Sequence, residues 1–156
     1  MKTLVLFGKS NKGKTTTLNI LINLLLKRGK NLLGIVTNYK HDNCLVIEID
    51  GKKILITTRG DNEYSLKCDY EKFSEYEPDI FICAARSKGK THDYISKLAP
   101  EENIFWLSKT TFSNVAKNNK ELSEKVECYR EKQNETQAEE MLNVLNDFFD
   151  VNLFTE

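Results

Sequence analysis

The sequence has no excess of charge of either sign. Its 156 residues include 23 lysines and arginines and 23 aspartates and glutamates, which leaves a formal net charge of zero. A chain-wide positive field, the usual electrostatic mark of nucleic-acid binding, is therefore missing. The composition gives no indication of a nucleic-acid partner.

Closely spaced cysteine pairs are also missing. The four cysteines, Cys44, Cys68, Cys83 and Cys128, lie far apart in the sequence. Zinc sites and disulfide frameworks usually show short, paired spacings, so we predict neither. Two of the cysteines fall in strand-like runs, where we expect them to pack as small apolar side chains. We therefore expect the thiols to be reduced, as is usual in an intracellular protein.

A long hydrophobic segment is absent as well. The longest apolar run, residues 18–26, is interrupted by Asn19 and Asn23 and is shorter than the ~20 residues that span a membrane. No signal peptide precedes it, and there is neither an internal repeat nor a Gly/Ser-rich linker. We therefore expect one cytoplasmic domain over residues 1–156, without a membrane partner.

One segment, residues 8–15, carries most of the chemical information. Gly8 and Gly13 are followed by Lys14 and Thr15, in the spacing of a phosphate-binding loop. Glycines let successive backbone N–H groups approach phosphate oxygens closely. The lysine is placed to reach the β- and γ-phosphates, and the threonine hydroxyl to bind Mg²⁺.

The segments on either side of this loop have suitable patterns. Residues 3–7 are typical of a buried strand, and residues 15–28 have the periodicity of an apolar helix. The N-terminus of such a helix favours bound negative charge. We predict that the nucleotide is bound by Gly8, Lys9, Ser10, Asn11, Lys12, Gly13, Lys14, Thr15 and Thr16.

Residues 3–28 resemble the beginning of a P-loop NTPase, whose Walker A loop has this spacing. Lys9 also resembles the early lysine of the deviant Walker A loop in chromosome-partitioning and division-site ATPases. In that family the lysine reaches the nucleotide of a facing subunit, which implies a homodimer and a catalytic Lys9. Ser10 and Asn11 stand where that family usually has glycines. A solvated loop lysine is the alternative interpretation.

The rest of the chain predicts an α/β fold. A second strand at residues 31–37 would complete a strand–helix–strand unit, which implies a parallel pair. Asp50-Gly51, between two alternating apolar runs, predicts an antiparallel hairpin. With strands at 80–85 and 103–107, we expect a three-layer P-loop NTPase domain, its mostly parallel sheet having an antiparallel hairpin edge.

Further helices are expected at residues 65–77, 91–98 and 136–150, where apolar residues recur at helical spacing. Residues 113–137 are polar, with few apolar anchors. They form either exposed helices or a mobile insert, and the sequence favours neither. The apolar tail at 151–154 either caps the domain or touches a partner.

The region after the hairpin is similar to the segment of Ras-like GTPases that leads into their second switch. Where that family has an aspartate, this chain has Thr57, whereas Gly60 matches. Asp61 is then the nearest acid, and we predict that it holds the metal together with Thr15. An ordinary turn residue is the alternative. No Asn-Lys-x-Asp motif follows the last strand, so selectivity for GTP has no direct support.

A cationic loop follows the strand at 80–85. It places Arg86, Lys88 and Lys90 at the carboxyl end of that strand, where open α/β sheets bind ligands. Arg86 is our candidate for stabilising charge on phosphate oxygens. A solvated loop is the other interpretation.

Together these patterns predict Mg²⁺-dependent binding and hydrolysis of ATP or GTP by a regulatory or switch-like NTPase. Catalysis would depend on Lys14, on Mg²⁺ and on Lys9 or Arg86. Two alternatives stay open: a kinase acting on a small molecule or nucleotide, and a nucleotide-binding adaptor with little turnover. A homodimer or another protein partner would supply what one chain lacks.

Overall fold

The chain alternates strands and helices. The computed structural model describes residues 1–9, 13–33, 42–112 and 118–154. The strands are β1 (Lys2–Phe7), β2 (Lys30–Leu33), β3 (Cys44–Ile49), β4 (Lys52–Thr57), β5 (Ile80–Ala85) and β6 (Ile104–Ser108). The helices are α1 (Lys14–Leu26), α2 (Glu63–Ser74), α3 (Lys90–Ser96) and α4 (Lys120–Phe148), with a short 3-10 turn at Glu101–Asn103.

The described strands form one mixed sheet in the order β2-β3-β4-β5-β1-β6. β1 lies between β5 and β6 and is parallel to both, and β4 is parallel to β5. β3 pairs antiparallel with β2 and with β4. The predicted α/β class is therefore confirmed, as is a mostly parallel sheet with an antiparallel section at one edge.

The predicted parallel pair between the first two strands is wrong. Within the described residues, β2 pairs only with β3 and does so antiparallel. All six residues of β5 are buried, as suits a central strand covered on both faces, and β5 takes the place beside β1. β2 is mostly exposed and forms the sheet edge. The rest of the predicted second strand falls in 34–41, outside the described residues.

Helices cover both faces of the sheet. Leu4 and Leu6 of β1 pack in one apolar cluster with α1 and α4. Val5, between them, packs in a second cluster with Phe81 of β5 and with α2 and α3. This alternation follows from the two-residue period of a strand, and it produces the expected three layers.

The polar segment near the C-terminus is helical over most of its length. α4 is one continuous helix of 29 residues, so the separate helix predicted at 136–150 begins much earlier. The side chain of Asn119 accepts a hydrogen bond from the N–H of Leu122 and caps the helix. Among residues 120–131 only Val126 is buried, which explains the weak apolar periodicity there. Residues 113–117 lie outside the described part of the chain.

The C-terminal tail caps the domain. Val151 and Leu153 are buried in the cluster that contains α1 and α4. The Arg28 Nε donates a hydrogen bond to the carbonyl oxygen of Leu153 at 3.3 Å. Across the described residues, no helix is both long enough and apolar enough to cross a membrane.

Leu145→Ala should lower the free energy of unfolding by ~2–5 kcal/mol. Leu145 is fully buried in the cluster that joins α4 to the sheet, and its truncation leaves a cavity. Leu122, in the same helix, is 40% exposed, so Leu122→Ala should cost less than ~1 kcal/mol. Urea unfolding followed by circular dichroism compares the two variants. Equal losses would contradict the docking of α4 through its C-terminal half.

Candidate functional site

The candidate site lies where β1, β5 and β6 end. Phe7 is opposite Ala85 of β5 and Ser108 of β6, so the loops after these strands begin side by side. The Gly8 N–H donates to the Ala85 carbonyl oxygen at 3.1 Å, and the Lys109 N–H donates to the Phe7 carbonyl oxygen at 2.7 Å. Parallel pairing therefore brings three loops to the edge of the sheet where such folds bind ligands.

The glycine-rich loop connects β1 to α1, in the strand–loop–helix order that the motif requires. Gly13 precedes α1 with a φ of 88°, a left-handed conformation that favours glycine. A Cβ at this position would also lie 2.8 Å from the Asn134 Oδ1 in α4. The backbone angle therefore favours glycine here, and the Asn134 side chain would have to shift to make room for a Cβ. Ser10, Asn11 and Lys12 lie outside the described residues.

The start of α1 is suited to a bound anion. Its first turn contains no acidic residue, and no side chain of the described residues caps it. The first N–H groups of a helix lack partners within the helix and attract negative charge. Thr15 and Thr16 lie half-buried in this turn. The Thr17 hydroxyl donates to the Gly13 carbonyl oxygen at 2.8 Å, which holds the loop against the helix.

Lys14 lies at the centre of the site, with only 5% of its side chain exposed. Its Nζ donates to the carbonyl oxygens of Gly8 at 2.7 Å and Lys9 at 2.9 Å. The Asp61 Oδ1 is 3.5 Å from the same nitrogen. These contacts match the three N–H donors of a lysine. Burial lowers the pKa of Lys14 from its ordinary value, the nearby Asp61 carboxylate opposes that shift, and Arg86 adds to it.

Asp61 brings two cations together. Its Oδ1 lies 3.5 Å from the Lys14 Nζ and 3.7 Å from the Arg86 Nε. Asp61 and Arg86 are each about half exposed, so their ion pair is screened by water and weak. The structure thus gathers three of the predicted site residues in one cluster. Lys9 contributes its backbone carbonyl to this cluster, and its side chain is exposed.

The loop after β4 is held by contacts within the fold. The Thr57 hydroxyl donates to the Asp69 Oδ2 of α2 at 2.8 Å, so Thr57 supports the structure and is not a site residue. Gly60 lies against the backbone of Ala84 in β5, where a Cβ would overlap it. This close approach between loop and strand places Asp61 beside Lys14.

Helix α4 forms a wall of the site that the sequence analysis missed. The Gln137 Nε2 donates to the Ser108 carbonyl oxygen at 2.7 Å, and its Oε1 accepts from the Thr110 N–H at 3.0 Å. These bonds attach the loop after β6 to α4. Gln137 and Asn134 are both buried, three residues apart on one face of the helix. A three-residue spacing places two side chains on one helix face but does not indicate which loop they contact, so the sequence alone does not reveal this role.

A cleft of about 250 Å³ lies between α4, the loop after β6 and the start of α1. Gly13, Thr16, Thr110 and Gln133 are among its lining residues. The Gln133 Oε1 is buried and has no hydrogen-bond partner in the described part of the chain. Because this oxygen is closed off from solvent, a ligand in the cleft does not reach it in this arrangement of the side chain.

Few donors are available for a divalent cation. Among the described residues, no group of three or more His, Cys, Asp or Glu lies close enough to hold a metal ion. In phosphate sites, Mg²⁺ is held by one or two protein oxygens, by phosphate oxygens and by water. The Thr15 hydroxyl and the Asp61 carboxylate fit this small set of protein donors.

Comparisons with known proteins assign no family to the chain. No family model matches it, and no curated protein or solved structure matches it significantly. Function must therefore be inferred from the side chains at the carboxyl edge of the sheet.

A second buried lysine, Lys109, lies beside Gly8 in the glycine-rich loop. The Cβ of Lys109 leaves little room for a side chain at Gly8, and the Lys109 Nζ donates to the Thr110 carbonyl oxygen at 2.6 Å. Burial lowers the pKa of Lys109 to about 8 from an ordinary value of 10.5. The unfolded chain therefore binds more protons at this residue between pH 8 and 10.5, and the stability contributed by Lys109 rises with pH over that window.

Lys109→Met should flatten the rise in stability between pH 8 and 10.5, because the variant has no ammonium to deprotonate on folding. Urea unfolding of the wild type and the variant across this range measures the difference in slope. Lys97→Met, which removes an exposed lysine, serves as the control and should keep the wild-type slope. Identical slopes for wild type and Lys109→Met would contradict the lowered pKa.

Proposed function

We propose that the chain is a P-loop NTPase that binds a nucleoside triphosphate with Mg²⁺ and hydrolyses it in a regulatory or switch-like role. The observation that supports this most is the buried ammonium of Lys14 at the start of an uncapped helix, where it shares the Asp61 carboxylate with Arg86. The order of strand, glycine-rich loop and helix supports the same proposal.

Lys14 supplies the main positive charge for the phosphates. Its ammonium is shielded from bulk water. The attraction between this ammonium and a phosphate oxygen is therefore stronger than it would be at the protein surface. Phosphate oxygens would replace the two loop carbonyls with charge-assisted hydrogen bonds. Arg86, on the neighbouring loop, would stabilise charge that develops on the γ-phosphoryl oxygens.

Asp61 gives the site two possible arrangements. In this structure its carboxylate holds Lys14 and Arg86. Thr15 and Asp61 are the residues that would hold a Mg²⁺, which would neutralise negative charge on the phosphates. Turning Asp61 towards the metal would release both cations for the phosphates. Such an exchange of partners is what a switch-like NTPase requires.

The cleft beside α4 is our candidate site for the nucleoside. It meets the phosphate loop at Gly13 and Thr16, and polar side chains that include Thr110 and Thr111 line it. An amino group or ring N–H of a base would find hydrogen-bond acceptors among the oxygens of such side chains. Adenine and guanine both carry such donors, so the cleft supports ATP and GTP alike.

A second candidate function is transfer of the γ-phosphate to a small acceptor. It is favoured by a cavity of about 460 Å³ whose wall includes Arg86 and Asp61, the carboxylate that contacts Lys14. An acceptor hydroxyl in that cavity would have Asp61 as a carboxylate to take its proton. Hydrolysis and transfer would then share the same phosphate site.

Lys14→Ala should weaken binding of the Mg²⁺–ATP complex at least ~100-fold, or ~2.7 kcal/mol, because it removes the buried charge that faces the phosphates. Isothermal titration calorimetry measures the affinity, and circular dichroism checks that the variant is folded. Lys67→Ala, which removes a lysine that is 53% exposed on α2, is the matched control. Equal affinities for wild type and Lys14→Ala would contradict the proposal.

Lys9→Ala should leave nucleotide binding nearly intact and remove most of the turnover, if Lys9 acts on the nucleotide of a facing subunit. The Lys9 carbonyl is held by Lys14, and its exposed side chain is accessible to a second chain. A cation delivered from a partner raises the rate of phosphoryl transfer by orders of magnitude.

Two measurements test this homodimer proposal. Steady-state hydrolysis per chain should rise with protein concentration in the wild type. Sedimentation with a non-hydrolysable analogue should show a dimer. A monomer with constant specific activity would reject the dimer and leave the phosphate-loop proposal standing.

A further inference from the structure

The cavity beside Asp61 and Arg86 is separate from the nucleoside cleft. Its wall shares no residue with the cleft, which meets the loop at Gly13 and Thr16. Through Asp61 and Arg86 it adjoins the Lys14 ammonium instead. A nucleotide with its base in the cleft and its phosphates on the loop would therefore leave this cavity unfilled.

The walls of this cavity carry more positive than negative charge. The loop after β5 and the first residue of α3 supply three cations, Arg86, Lys88 and Lys90. The carboxylates are those of Asp61 and Glu63, and Asp61 is already paired with Arg86 and with Lys14. The chain as a whole has no net charge, so this local excess is a property of the cavity. A concave surface with positive walls concentrates anions.

The cationic loop is braced at its base. The buried Thr91 accepts a hydrogen bond from the Arg86 N–H through its hydroxyl at 3.2 Å. Lys88 and Lys90 lie within the turn that this bond closes. A Cβ built on Gly89, between them, would meet nothing within 4 Å. The space beside Gly89, in the middle of this turn, is therefore open to a ligand.

We propose that this cavity binds a small molecule that carries a phosphate group, next to the γ-phosphate of a bound nucleotide. Its position relative to the nucleotide rests on the proposed function, whereas the anion site itself depends only on the cavity. Arginine and lysine are the side chains that bind phosphate, the first through paired N–H groups and the second as a point charge. Asn62 and Tyr64 line the same cavity and offer polar groups to the rest of the ligand.

The test measures binding of inorganic phosphate to protein saturated with Mg²⁺ and a non-hydrolysable ATP analogue, by calorimetry or ³¹P NMR. We expect saturable binding that the double variant Lys88→Gln/Lys90→Gln weakens at least tenfold. The double variant Lys67→Gln/Lys97→Gln removes two exposed lysines elsewhere and should bind like the wild type. Absence of saturable binding, or the same affinity in both double variants, would overturn the site.

A parallel titration separates this inference from the proposed function. Inorganic phosphate is titrated into the Lys14→Ala variant in the absence of nucleotide. This variant lacks the lysine of the phosphate loop, so any phosphate that it binds should depend on Lys88 and Lys90. If the analogue does not bind the wild type but this variant still binds phosphate through Lys88 and Lys90, the proposed function fails and the anion site stands. If the analogue binds and phosphate binds neither protein, the anion site fails and the proposed function stands.

Discussion

The parallel register of β1 between β5 and β6 determines where the functional groups of this molecule meet. Phe7, Ala85 and Ser108 lie at one level, so the loops that follow them are joined by backbone hydrogen bonds. A slip of β5 by one residue would turn its side chains to the opposite faces and move Arg86 away from Asp61. Alternate residues of β5 pack in the two apolar clusters, so such a slip would exchange side chains of different size between two close-packed faces.

The same register explains why a buried ammonium is tolerated at the edge of the core. Removing the charge of Lys14 from water costs free energy unless hydrogen bonds and an opposite charge offset the loss. Two loop carbonyls and the Asp61 carboxylate provide that compensation. Arg86 approaches the same carboxylate oxygen, so two like charges share one counter-ion. An additional anion near Lys14 and Arg86 would balance this excess of positive charge. The cluster is therefore better suited to binding an anion than to serving only as a structural ion pair.

Local features of the fold could be predicted from the sequence, and long-range ones could not. Asp50 and Gly51 have φ values of 53° and 76°, the conformation that an Asp-Gly hairpin turn requires, so the turn follows from two residues. The neighbour of β1 depends instead on competition among strands for the central position. Within the candidate site, the proposed role of Lys14 rests on its spacing after Gly13. Asn134 lies 117 positions beyond Thr17 in a polar segment, where no local pattern points to the loop.

Helix α4 is held unevenly along its length. At about 1.5 Å per residue its 29 residues make a rod of about 43 Å, of which the first dozen residues bury only Val126. Asn134 and Gln137, which touch the loops of the site, lie near its middle. The C-terminal half is held in the apolar cluster through Leu142 and Leu145, whereas the first dozen residues, about 18 Å of helix, bury little apolar surface. Local opening therefore costs less free energy at the N-terminal end of α4 than at its C-terminal end, because fewer apolar contacts are lost there.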